Sequence, residues 1–178
     1  NRAVLPYMRK QGRGLLILMS SAGGQVVYPF MGLYSASKFA AEAMSISYRY
    51  DTSRFGIDSV IVQPGWHPTP ILGKQVHPAD SGRLTELGKL SDVWKRMDDG
   101  VEGWFSGREL PDIKKVADVV EDLIRTPTRE RPLRVLVGQD VQYIKGLNEA
   151  ADAAQAEMLE MVGLTDLMQP FSQHTTTS

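Results

Sequence analysis

Residues 20–38 read SSAGGQVVYPFMGLYSASK, and the fold is decided by how this stretch is read. The apolar run Leu15-Leu16-Ile17-Leu18-Met19 leads into it and shows no polar alternation. Such a run suits a strand covered on both faces, as in a parallel sheet. Gly23, Gly24, Pro29 and Gly32 punctuate residues 22–33 as a loop. From Tyr34 to Arg54 the pattern turns helical, with Phe39, Ala40, Ala43, Met44 and Ser47 as a small-residue packing face. Gly56 is the C-terminal stop. Val60-Ile61-Val62 then reads as a second buried strand, ending at Pro64. Strand, helix and strand in about fifty residues make a βαβ unit, whose crossover is right-handed in about 98% of cases.

Tyr34 and Lys38 stand four residues apart at the start of that helix, so the phenol and the ammonium share a face. Ser21, thirteen residues before Tyr34, falls at the carboxyl end of the first strand. Open α/β sheets keep their ligand crevices there. A hydroxyl, a phenol and an ammonium in one cleft make an acid–base site. A phenol of ordinary acidity, with a pKa near about 10, is a poor base at neutral pH. A cation about 4 Å away is worth only about 1 kcal/mol in bulk water and about 4 at an effective dielectric near 20, so the pair needs a partly dry cleft. The bland readings are a turn-capping hydroxyl for Ser21, with Ser20 as the rival serine, and a helix-start aromatic with a solvated lysine for Tyr34 and Lys38.

Ser21, the run Tyr34-Ser35-Ala36-Ser37-Lys38, and Pro64-Gly65 followed by Thr69 together resemble the short-chain dehydrogenase/reductase family, over nearly the whole chain. The resemblance implies an α/β fold with a doubly wound parallel sheet, Rossmann-like, here its last three strands. It implies NAD or NADP as cofactor and hydride transfer that interconverts a small-molecule alcohol and a carbonyl. Tyr34 would be the acid/base, Lys38 would tune it and hold the nicotinamide ribose, and Ser21 would orient the substrate oxygen. Pro64 and Gly65 would bring backbone near the nicotinamide, with Thr69 at its carboxamide and Trp66 and His67 in the same cofactor-lining stretch. The first helix and the Tyr34 helix would form a homo-dimer or tetramer bundle in the full-length enzyme.

The family's glycine-rich pyrophosphate turn has no counterpart, because Gly12-Arg13-Gly14 precedes a strand rather than following one. The chain also opens at Asn1. It is therefore read as the carboxyl-terminal part of one Rossmann-like domain, residues 1–178, with a substrate-loop insertion at 66–110 and a flexible tail at 171–178. Two rival functions stand beside the dehydrogenase. One is a sugar-nucleotide epimerase or dehydratase, which uses the same Tyr–Lys pair. The other is a non-catalytic fragment or cofactor-sensing relative.

The remaining segments support the same fold. Residues 2–10 read as a helix interrupted or started by Pro6. Residues 66–110, with Trp66, Trp94, Trp104 and Phe105, read as short helices and irregular loops, in which Trp66 and Phe105 are buried structural aromatics or, alternatively, line a pocket. A helix begins at Leu110-Pro111-Asp112 and stops at Thr126-Pro127, residues 133–138 form a third strand, and residues 140–162 form an Ala-rich helix. The net charge of −1 across 178 residues points to neither a nucleic-acid nor a membrane-surface partner. The absence of cysteine excludes disulfides and suits a cytoplasmic location. No apolar run reaches the roughly 18 residues of a membrane span. No G-x-S-x-G elbow favours a hydrolase, and His67, His77 and His174 lack metal-ligand spacing, so no metal is expected.

Overall fold

Strands β1 (Gly14–Met19), β2 (Ile57–Pro64) and β3 (Arg134–Val137) pair in that order and are parallel throughout. A computed structural model of the chain describes residues 1–70, 74, 86, 88, 90–109 and 111–167. His77, His174, the tail at 171–178 and the side chain of Trp94 lie outside the described residues. Five helices accompany the strands among those residues: α1 (Leu5–Gln11), α2 (Gly32–Thr52), α3 (Leu90–Phe105), α4 (Lys114–Arg125) and α5 (Lys145–Met161).

β2 is the central strand, and its Val60, Ile61, Val62 and Gln63 are fully buried. Its two faces answer to different helices, as the two-residue period of a strand requires. Val60 and Val62, with Leu15, Ile17, Val135 and Val137, pack against Val116, Val119 and Leu123 of α4. Ser59 and Gln63 face the other way, toward Ser45 and Glu42 of α2 and Asn148 of α5. Helices on both faces make the sheet doubly wound. The helix before β2 and the helix before β3 lie on opposite faces while the strands advance in one direction. The right-handed rule would place both on the same face, so it yields at one of the two connections.

Several element bounds differ from the sequence expectation, each for a local reason. α1 begins at Leu5 with Pro6 in its first turn, where a missing N–H costs nothing, and ends at Gly12 in the left-handed region (φ 65°). α4 begins at Lys114, later than expected: residues 111–113 are not yet helical, and the Asp112 carboxylate accepts the Lys114 N–H at 2.9 Å. The segment expected as one helix from 140 divides into a 3-10 turn, Gln139–Ile144, and α5. Residues 90–105 form one sixteen-residue helix rather than short pieces. Leu90, Val93, Met97, Val101, Trp104 and Phe105 recur there at helical spacing.

The packing face of α2 is also corrected. Phe39, Ala40, Ala43, Met44 and Ser47 are exposed, while the buried residues are Ser35, Glu42, Ser45, Arg49 and Thr52. The buried face is polar because its side chains find hydrogen-bond partners in the sheet, which removes the cost of desolvating them. Trp66 and Phe105 are half-buried rather than fully buried aromatics, and Trp104 is 43% exposed, with the Arg108 guanidinium 3.7 Å from its ring centroid.

Candidate active site

The carboxyl end of β1 runs out at Met19, and Ser20 and Ser21 lead into the 3-10 turn Ala22–Gly24. The Ser21 hydroxyl accepts the Gly23 N–H at 3.2 Å, and the Ser21 carbonyl accepts the Gly24 N–H at 2.9 Å. Ser21 therefore does cap a turn. Ser20 points elsewhere: it is buried and donates its hydroxyl to Glu42 Oε1 at 2.5 Å. Of the two serines, Ser21 is the one left at the crevice.

Tyr34 packs its ring against the same turn. A Cβ built on Gly23 would come within 2.8 Å of Tyr34 Cε1, so the missing side chain is what lets the Tyr34 ring close over the turn, while Tyr28 Cε2, at 3.5 Å, would be in ordinary contact. Lys38, one helical turn further on, donates to the Met19 carbonyl at 3.0 Å and holds its ammonium 5.7 Å from the Tyr34 ring centroid. Ser21 and Tyr34 thus meet around Gly23, and Lys38 bridges Tyr34 to the last residue of β1. Tyr34 remains 37% exposed, so the site is an open crevice.

The second wall of the crevice is the end of β2. Pro64 closes the strand beside Val137, and the Gly65 N–H donates to the Val137 carbonyl at 2.9 Å. Trp66 donates its N–H to Asp140 Oδ2 at 2.7 Å, and its ring meets Tyr28 edge-on at 6.4 Å between centroids. His67 Nδ1 lies 2.9 Å from the Gly65 carbonyl, and the Thr69 N–H donates to the His67 carbonyl at 2.7 Å. These two bonds tie residue 67 to residues 65 and 69 at the mouth. A Cβ on Gly65 would overlap the Asp140 carboxylate, which is the close approach this glycine serves here.

Three features were missed in the sequence. Asp140 holds the Trp66 backbone with one carboxylate oxygen, while its other, Oδ1, is buried with no hydrogen-bond partner. Nothing in the spacing links residues 66 and 140, which are joined only by the pairing of β2 with β3. Tyr28 and Tyr143 join hydroxyls at 2.6 Å, and burial first, then this bond, pushes the Tyr28 phenol up from its ordinary value. Glu42 gathers Ser20, Gln25 and Gln63. Its place eight residues after Tyr34 and four after Lys38, on one helix face, was a readable signal. The hollows lined by Met8, Arg13, Thr126 and Arg131, and by Arg2, Pro6, Tyr48 and Phe55, open away from these residues, toward the amino ends of the strands.

A phenol, an ammonium and a hydroxyl thus stand at the carboxyl edge of a parallel α/β sheet, where folds of this kind keep their ligand crevices. Comparison with known proteins bears on the fold and the family. Residues 1–79 match the family described as short chain dehydrogenase. The uncharacterized oxidoreductase YusZ of Bacillus subtilis (strain 168) is 31% identical over 148 residues, covering 79% of this chain and 49% of that protein. A short-chain dehydrogenase from Streptomyces avermitilis superposes with a TM-score of 0.56 at 27% identity, over 91% of this chain and 55% of its own. A Burkholderia cenocepacia J2315 short chain dehydrogenase, solved in complex with NADP, shares the fold with a TM-score of 0.55 at 20% identity, over 89% of this chain and 53% of its own. The chain belongs to the short-chain dehydrogenase/reductase family. It spans about half the length of these relatives.

Proposed function

We propose that this chain carries the acid–base half of an NAD(P)-dependent oxidoreductase that interconverts a small-molecule alcohol and a carbonyl. The supporting observation is the meeting of Ser21, Tyr34 and Lys38 around Gly23 and the Met19 carbonyl. The bound nicotinamide supplies the acceptor or donor of the hydride. A fit for its ribose comes from the donor set: Lys38 uses one N–H on Met19 and keeps its other donors for a diol.

In the oxidative direction the Tyr34 oxygen takes the proton of the substrate hydroxyl as the carbinol C–H bond breaks and the carbonyl forms. In the reductive direction Tyr34 returns that proton to the carbonyl oxygen. Lys38 places its ammonium beside the Tyr34 ring, and Ser21, whose oxygen accepts the Gly23 N–H, keeps its own O–H to donate to the substrate oxygen. Gly65, Trp66, His67 and Thr69 form the opposing wall. The exposed apolar residues of α2, Leu33, Phe39 and Met44, are where a homo-dimer or tetramer would form in the full-length enzyme.

Titration of the chain with NAD and NADP, followed by a panel of alcohols and carbonyls, tests this reading. Saturable binding with turnover is expected. Absence of binding at about millimolar dinucleotide favours a non-catalytic fragment, and binding without any turnover favours a cofactor sensor.

A further inference from the structure

We propose that Glu42 is the positioning residue of this crevice, setting the spacing between the turn that carries Ser21 and the helix face that carries Tyr34 and Lys38. The proposal rests on the acid–base reading above and names the part that holds its geometry. Tyr34, Lys38 and Glu42 occupy successive turns of one face of α2. Each grips the end of β1 or the turn after it: Tyr34 at Gly23, Lys38 at the Met19 carbonyl and Glu42 at the Ser20 hydroxyl.

Glu42 differs from the other two in being closed off. Its side chain is 3% exposed. Ser20 donates to its Oε1, Gln25 Nε2 donates to Oε2 at 2.7 Å, and Gln63 Nε2 lies 3.0 and 3.1 Å from the two oxygens. Ser20 precedes Ser21, Gln25 closes the turn, and Gln63 stands two residues before Gly65. One carboxylate therefore ties together both walls of the crevice. Gln63 is fixed in turn by Asn148 of α5, whose Nδ2 donates to Gln63 Oε1 at 2.8 Å. Gly24 lies flat against the carboxylate, where a Cβ would overlap Oε1. The Arg134 Nε, at 3.9 Å from Oε2, contributes charge but no hydrogen bond.

Stability alone is a weak reason for such a residue. Burying a carboxylate is costly, and a packed apolar side chain at such a place is commonly as stable or more so. What the carboxylate adds is direction: it is an acceptor only, surrounded by donors, so it admits one arrangement of Ser20, Gln25 and Gln63. Without it, the end of β1 is held to this face of α2 by Lys38, the very group whose ammonium must serve Tyr34.

The experiment compares the full chain with Glu42→Gln, which keeps the shape but turns an amide N–H₂ against a neighbouring donor. Two readouts are taken. In amide hydrogen exchange, Gly23 and Gly24 should lose protection by about tenfold or more in Glu42→Gln. Ser45→Ala, on the same helix as Glu42, removes a buried bond to Ser59 of β2 and should leave those two amides unchanged relative to the rest of the chain. In turnover, kcat should fall by about 10- to 100-fold with dinucleotide Kd unchanged, and the same substitution in a Ser21→Ala background should add little. Unchanged exchange at Gly23 and Gly24, or an equal kcat loss with and without Ser21, overturns the proposal. If Glu42→Gln does not fold, Ser20→Ala replaces it with the same expected directions. Normal turnover in Tyr34→Phe would defeat the acid–base reading rather than the role of Glu42. If the wild-type chain shows no turnover, the exchange result alone decides.

Discussion

Tyr28 and Tyr34 both lie over Gly23, yet their hydroxyls are used differently. The Tyr28 hydroxyl is already engaged with that of Tyr143, and burial of the ring raises its pKa above the ordinary tyrosine value of about 10. Nearby negative charge from Asp140 acts in the same direction. The folded state therefore holds this proton more tightly than the unfolded chain does. The resulting stabilisation is fully present below about pH 10 and is lost as pH rises further, toward the raised folded value. Urea midpoints measured from about pH 9 to about pH 11 should fall, and the fall should be shallower in Tyr28→Phe. An identical slope in the variant would remove Tyr28 from this account.

Among the elements, α2 shows most clearly what the sequence contained and what it did not. The strands were readable because unbroken apolar runs admit few other places, and β1 and β2 fall where Leu15–Met19 and Val60–Val62 put them. The face of α2 was misread because apolar residues were taken to point inward, whereas Glu42, Ser45 and Arg49 are the buried ones. Their partners Gln63, Ser59 and Arg131 come from other elements, and only the folded chain brings them near. The crevice divides the same way: Ser21, Tyr34 and Lys38 were legible as a spacing within one βαβ unit, and Asp140, reached through the third strand, was not. At the far end of β2, Asp58 takes the Arg131 guanidinium at 2.8 Å, with Arg49 at 3.9 Å. Burial lowers the Arg49 pKa, and Asp58 partly offsets it. Asp58→Ala would leave two buried cations without their anion, and should lower the unfolding free energy by about 3–5 kcal/mol. A loss under about 1 kcal/mol in urea denaturation would mean that water reaches these groups.

At the scale of the whole molecule, α2 leaves large apolar side chains exposed. Leu33 is 93% exposed and Met44 55%, on the helix that also carries Tyr34 and Lys38. If that face joins copies of the chain, sedimentation should give a mass above that of a monomer, and Leu33→Lys with Met44→Lys should bring it down. A monomeric wild type would contradict this. No helix among the described residues is long and apolar enough to cross a membrane. The measurement that bears most directly on the account is turnover of Tyr34→Phe beside its dinucleotide affinity, in an assay where the wild type is active. The account predicts a loss of kcat by several orders of magnitude with cofactor binding retained, because the ring and its packing on Gly23 survive while the proton carrier is gone. Near-normal kcat in that variant would contradict it.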